Sequence, residues 1–193
     1  MATILGLSGS LRRGSFNTML LRAAAGMVPA GTTIEIGSIE GIPLYNFDVE
    51  QEGIPDAVEQ LKARIVATHG LLLASPEYNG SIPGVLKNAI DWLSRPPSEI
   101  PKVFRERPVG VIGATPGAGG TGLAQIGWLA VLRTLGMAPW FGARVTAARV
   151  RDVFDADGRL VDETLRGQLQ TYVNGFAKYV ESCSQVRGPS RLA

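Results

Sequence analysis

The chain has 193 residues, 45% of them apolar and 19% charged, a balance that excludes a disordered polypeptide and fits one globular domain. Nineteen Lys and Arg against 17 Asp and Glu leave a formal net charge of +2, too small for a nucleic-acid binder. A single cysteine, Cys183, and a single histidine, His69, exclude an internal disulfide and any metal site built from several thiolates or imidazoles.

Residues 1–7, Met-Ala-Thr-Ile-Leu-Gly-Leu, lack the basic segment of a signal peptide. No apolar run approaches the ~20 residues of a membrane span. A cytoplasmic location is therefore expected. Residues 3–8 are a short apolar run that predicts a buried strand ending in Ser-Gly-Ser. Residues 17–27 place Met19, Leu20, Ala23, Ala24 and Met27 on one helical face. Residues 32–36 alternate as a second strand. Residues 55–67 predict a helix with Pro55 at its first turn and Val58, Leu61 and Ile65 on its apolar side.

Residues 70–75, Gly-Leu-Leu-Leu-Ala-Ser, predict a fully buried strand. Residues 82–93 predict a helix with Ser81 as its cap and Pro83 in its first turn. Residues 108–114 predict another buried strand, and residues 122–135 a helix closed by Gly136. Residues 138–145 are expected as the last strand and residues 162–181 as a long amphipathic helix. Residues 1–183 then form one domain, and residues 184–193 a disordered tail.

Strands that are continuous apolar runs and alternate with helices predict an α/β fold, a parallel sheet covered on both faces. Right-handed crossovers make it a three-layer α/β/α, doubly wound arrangement. Ligands of such sheets bind beyond the carboxyl ends of the strands. That directs attention to the loops at residues 9–16, 76–81 and 115–121.

The first of these loops runs Ser8-Gly9-Ser10-Leu11-Arg12-Arg13-Gly14-Ser15-Phe16-Asn17 straight into a helix. Hydroxyls, a guanidinium and the free N–H groups of a helix start suit a phosphate. The alternative is a plain turn whose serines only cap the helix. There is no Gly-Lys-Ser/Thr ending, which argues against a P-loop nucleotide triphosphatase. The second loop, Ser75-Pro76-Glu77-Tyr78-Asn79-Gly80-Ser81, is stiff and carries an aromatic ring. It suits a flat heterocycle, and alone it reads equally well as an ordinary βα loop.

Together the two loops favour a ligand with a ring at one end and a phosphate at the other. The third loop holds Gly-x-Gly-x-x-Gly at Gly117, Gly119 and Gly122. This match to the dinucleotide fingerprint stands in the fourth βα turn instead of the first. No acidic residue follows about 20 positions on, so it is read as a flexible glycine loop. His69 and Cys183 are read as structural.

Residues 9–17 and residues 76–92, Pro-Glu-Tyr-Asn-Gly-Ser-Ile-Pro-Gly-Val-Leu-Lys-Asn-Ala-Ile-Asp-Trp, resemble the NADPH-dependent FMN reductase family, a flavodoxin-like group with quinone- and chromate-reducing members. The resemblance spans roughly residues 4–179. It implies a five-stranded parallel sheet in the order 2-1-3-4-5. It also implies FMN as cofactor, with Ser10, Arg12, Ser15, Phe16 and Asn17 around its phosphate and Pro76, Glu77, Tyr78 and Asn79 along its ring. Thr115, Pro116 and Gly117 would line the same site. Leu123 stands where the family often carries a basic residue.

The expected activity is transfer of a hydride from NADPH or NADH to FMN and on to a quinone, a free flavin, an azo compound or an oxidised metal ion. The expected assembly is a homodimer or homotetramer. No catalytic side chain is assigned, because the cofactor carries the chemistry. The alternative is a flavodoxin-type electron carrier or redox-responsive module with no hydride step. Such carriers are strongly acidic, unlike this chain.

Overall fold

The computed structural model describes residues 1–187. Strands β1 (Ala2–Ser8), β2 (Thr32–Gly37), β3 (Gly70–Ala74) and β4 (Pro108–Ala114) carry the apolar runs of the sequence. The helices are α1 (Phe16–Ala25), α2 (Phe47–Glu52), α3 (Asp56–Val66), α4 (Gly84–Leu93), α5 (Ile100–Val103), α6 (Gly122–Thr134) and α7 (Glu163–Arg187). Neighbouring strands are parallel throughout, and with the short β5 (Ala138–Pro139) they stand in the expected order β2-β1-β3-β4-β5. Ile4 lies beside both Ile34 and Gly70, and Leu73 beside Val111, so the carboxyl ends of the three central strands emerge along one edge.

The pleat sends successive side chains to opposite faces. Ile4, Leu72, Ala74 and Ile112 join Leu20 and Leu21 of α1 and Leu169, Tyr172 and Phe176 of α7 on one face. Leu5, Leu7, Leu71, Leu73 and Val109 join Ile65 of α3, Trp92 of α4 and Trp128 of α6 on the other. The result is the expected three layers. Asp162 accepts the Leu165 N–H and caps α7. No described helix is long and apolar enough to cross a membrane.

Several boundaries differ from the sequence expectation. The last strand, expected at 138–145, is two short pieces, β5 (Ala138–Pro139) and β6 (Thr146–Ala147), both paired with β4. The chain leaves the sheet between them because the Trp140 ring packs edge-on against Tyr172, with centroids 4.9 Å apart, and beside Phe176. The Trp140 ring lies so close to Gly175 that a methyl there would meet it at 2.6 Å. The α4 helix begins at Gly84, not at 82, because Ser81 is occupied in a turn with Tyr78.

Helix α2 and the short turns at Pro97–Glu99 and Ile100–Val103 were not expected; α2 buries no side chain and so leaves no apolar period. Helix α7 runs through residues 184–187, where a tail was expected, and residues 188–193 lie outside the described residues. His69 accepts the Thr3 N–H at Nδ1 and its own N–H bonds the Thr3 carbonyl. It thus closes the amino edge of the sheet, away from the strand ends that matter below.

Two outcomes test this packing. A methyl at Gly113 would overlap the Ser75 carbonyl oxygen and the Thr121 hydroxyl, whereas one at Gly119 would meet nothing within 4 Å. Gly113→Ala should cost about 2–3 kcal/mol in urea unfolding and Gly119→Ala under about 0.5. Burial pushes the Tyr172 phenol well above its ordinary range. The unfolded chain ionises near about 10 while the folded chain keeps the proton. Stability should therefore hold below that pH and fall as pH rises above it, and Tyr172→Phe should flatten the slope.

Candidate functional site

The first loop reaches the sheet edge because Gly9 has no side chain. Its N–H bonds the Ala74 carbonyl at 2.8 Å, and a Cβ would stand 2.8 Å from Pro76 Cδ. Only glycine lets the first and second loops touch there. Beyond Gly9 the chain turns, and Ser15 opens α1 in extended conformation. Ser15 is buried, and its Oγ accepts the Thr18 N–H at a long 3.4 Å. Its own hydroxyl hydrogen remains available. The first-turn N–H groups of α1 have no acceptor within the helix and carry its positive dipole end.

Asn17 is the joint between α1 and the sheet. Its Nδ2 donates to the Ala114 carbonyl at 2.8 Å, and its Oδ1 accepts the Ala114 N–H at 2.9 Å, across 97 residues of sequence. The side chain is 3% exposed. One amide N–H and the amide oxygen are thus engaged in holding the α1 start against the end of β4.

The second loop is held on both sides. Trp128 donates from Nε1 to Ser75 Oγ at 2.9 Å. Glu77 accepts the Ala124 N–H at Oε2, 3.0 Å, at the start of α6. Tyr78 and Ser81 exchange backbone hydrogen bonds around Asn79 (φ 52°) and Gly80 (φ 68°), a tight turn with both central residues left-handed. The Tyr78 ring stands half exposed.

The third loop leaves β4 at Ala114. The Thr115 N–H bonds the Ala147 carbonyl at 2.9 Å, and the Arg149 N–H bonds the Gly117 carbonyl at 3.0 Å. The segment after β6 is thereby tied beside it.

These three loops enclose one cleft of about 350 Å³. Ser10, Arg12, Ser15, Phe16 and Asn17 line it from the first loop, Pro76, Glu77 and Tyr78 from the second, and Thr115 and Pro116 from the third. Asn79 and Gly117, also expected there, do not line it: Asn79 forms the tip of the tight turn, and Gly117 is exposed and bonded to Thr115 and Arg149. Ala114 and Arg151 line the cleft without having been expected. Ala114 is the strand end itself. Arg151 follows a turn at Arg149 whose left-handed φ of 51° leaves no residue signature.

The lining offers hydroxyls, guanidiniums and the helix N–H groups of the α1 start, which suit an anion. It also holds two prolines and a tyrosine, which suit a flat ring. Among the described residues, no group of three or more His, Cys, Asp or Glu could hold a metal ion. Cutting the amide of Asn17 should open this arrangement. Asn17→Ala strands the Ala114 N–H and C=O and should lower stability by about 3 kcal/mol, read by urea unfolding.

Residues 2–152 match the model of a family described as NADPH-dependent FMN reductase. The chain is 44% identical over 177 residues to an NAD(P)H-dependent FMN reductase of Pseudomonas aeruginosa, covering 92% of this chain and 94% of that one. It is 37% identical over 172 residues to a 2-hydroxy-1,4-benzoquinone reductase of a Burkholderia species, covering 89% and 92%. Among solved structures it is similar to FerB, a flavoenzyme NAD(P)H:(acceptor) oxidoreductase from Paracoccus denitrificans. That match has a TM-score of 0.84 and 31% identity, covering 94% of this chain and 98% of that one.

Proposed function

The chain belongs to the NADPH-dependent FMN reductase family, and on that premise we propose that it is an FMN-dependent oxidoreductase that oxidises NAD(P)H and reduces a small acceptor of the quinone class. The observation that carries this reading is one cleft whose lining combines hydroxyls and guanidiniums, suited to an anion, with two prolines and a tyrosine, suited to a flat ring. The donor set fits FMN. Ser10, Ser15, Arg12 and the first-turn N–H groups of α1 would hold the phosphate. Pro76, Tyr78, Thr115 and Pro116 would flank the ring. When bound, FMN supplies a ring that accepts a hydride and returns two electrons.

The protein's own part is binding and orientation. Gly9 admits the close approach of the first two loops, and Asn17 fixes the distance from α1 to β4. Glu77 is engaged at the start of α6, so its role is to hold the second loop in place. The half-exposed Tyr78 leaves the ring end open to a second molecule. The nicotinamide and then the acceptor would use that opening in turn. The overall balance is NAD(P)H, a proton and a quinone giving NAD(P)⁺ and a hydroquinone.

The quinone reductase activities for which relatives are named support quinones as acceptors. Free flavin, azo compounds and oxidised metal ions such as chromate are further acceptors under this reading. A cytoplasmic location and self-association into a homodimer or homotetramer complete it. Exposed Leu123, Ile126, Leu129 and Phe141 give apolar surface for the association.

The purified protein, supplied with FMN, should show a flavin spectrum that NADPH bleaches under anaerobic conditions and a benzoquinone-dependent oxidation of NADPH. A protein that takes up FMN but is bleached only through a separate reductase would be an electron carrier. A protein that neither binds FMN nor oxidises NADPH would overturn the reading.

A further inference from the structure

The cleft contains one charged side chain beyond those of the first two loops. Arg151 comes from the short turn Val150–Asp152, more than 130 positions from the serine-bearing loop. Its segment is fixed in three ways. Val150 is fully buried, its N–H bonds the Thr115 carbonyl at 3.3 Å, and the Arg149 N–H bonds the Gly117 carbonyl. The same segment carries Phe154, whose ring stacks on Phe16 of α1 with centroids 6.0 Å apart and planes 24° apart. Arg12 lies over the Phe16 ring at 5.3 Å. The aromatic pair therefore joins the two segments that carry Arg12 and Arg151, both of which line the cleft.

Among the described residues, neither arginine has a carboxylate within ion-pair distance. The acid that lines the cleft, Glu77, accepts the Ala124 N–H. Of the acids that follow, Asp152 forms no ion pair with either arginine, Asp155 is occupied by the N–H groups of Asp157 and Arg159, and Asp157 pairs with Arg159. A phosphate monoester carries about −1.5 to −2 charges at pH 7, so one guanidinium neutralises only part of it. We propose that Arg151 is a second guanidinium for the flavin phosphate, reaching it from the segment after β6. This rests on the reading that the cleft holds FMN.

Flavin binding, followed by quenching of flavin fluorescence, tests it with FMN and riboflavin side by side. The two differ only in the phosphate. Arg151→Ala should raise the Kd for FMN by about tenfold to a hundredfold and leave that for riboflavin within about twofold. Arg151→Lys should recover part of the loss, since it restores the charge without the fork. Equal weakening of both flavins, or of neither, overturns the assignment. So does unchanged FMN affinity with a reduced preference for NADPH over NADH, which would give Arg151 to the nicotinamide nucleotide.

Arg12→Ala separates this failure from a failure of the cleft reading. If Arg12→Ala discriminates FMN from riboflavin and Arg151→Ala does not, only the Arg151 assignment falls. If neither does, the phosphate itself has been misplaced.

Discussion

One side chain holds the site together. The Asn17 amide both donates to and accepts from the backbone of Ala114, so the start of α1 cannot shift along the sheet edge without leaving two buried polar groups unpaired. The first-turn N–H groups of α1 and the end of β4 are thereby set at one distance. Gly9 and Gly113 make the same constraint possible from the other sides. A methyl at either would drive the loops apart, against Pro76 in one case and against Ser75 and Thr121 in the other. The cleft is thus a by-product of close backbone approach between three crossover turns, not a cavity scooped from a finished core.

The rest of the fold serves that junction. Two apolar layers bury both faces of the sheet, and the central strands can be short because each residue packs on one layer or the other. Trp128 reaches from α6 to Ser75, and Glu77 reaches from the second loop back to α6. Each tie makes the ring wall rigid from below while the Tyr78 side stays open. A binding site that leaves the chemistry to a cofactor needs this combination of fixed donors and one open face.

Much of this was legible in the sequence because it rests on local rules. Buried parallel strands are apolar runs, so β1, β3 and β4 stood out, and a Ser- and Gly-rich loop entering a helix pointed to a loop that lines the cleft. The second loop was carried by its Pro-Glu-Tyr-Asn-Gly pattern. What escaped depended on contacts between distant segments. The break between β5 and β6 is imposed by Trp140 packing on α7, which no pattern within residues 138–145 encodes. Arg151 reaches the cleft only because Phe154 stacks on Phe16 and Arg149 turns the chain. Asn17 was found as a residue of the cleft, but its bond to Ala114 was not, since nothing in its neighbours shows that Ala114 will meet it. Asn79, expected with its neighbours Glu77 and Tyr78, stands at the tip of a turn whose geometry the pattern did not show.

The most direct test of the account is a crystal structure of the protein grown with stoichiometric FMN. The account predicts the phosphate at the start of α1, within hydrogen-bonding reach of the Ser10 and Ser15 hydroxyls, and the ring against Pro76 and Tyr78. Flavin density in the separate apolar groove beside Ile126, Leu129 and Trp140, with the α1 start filled by solvent, would contradict it.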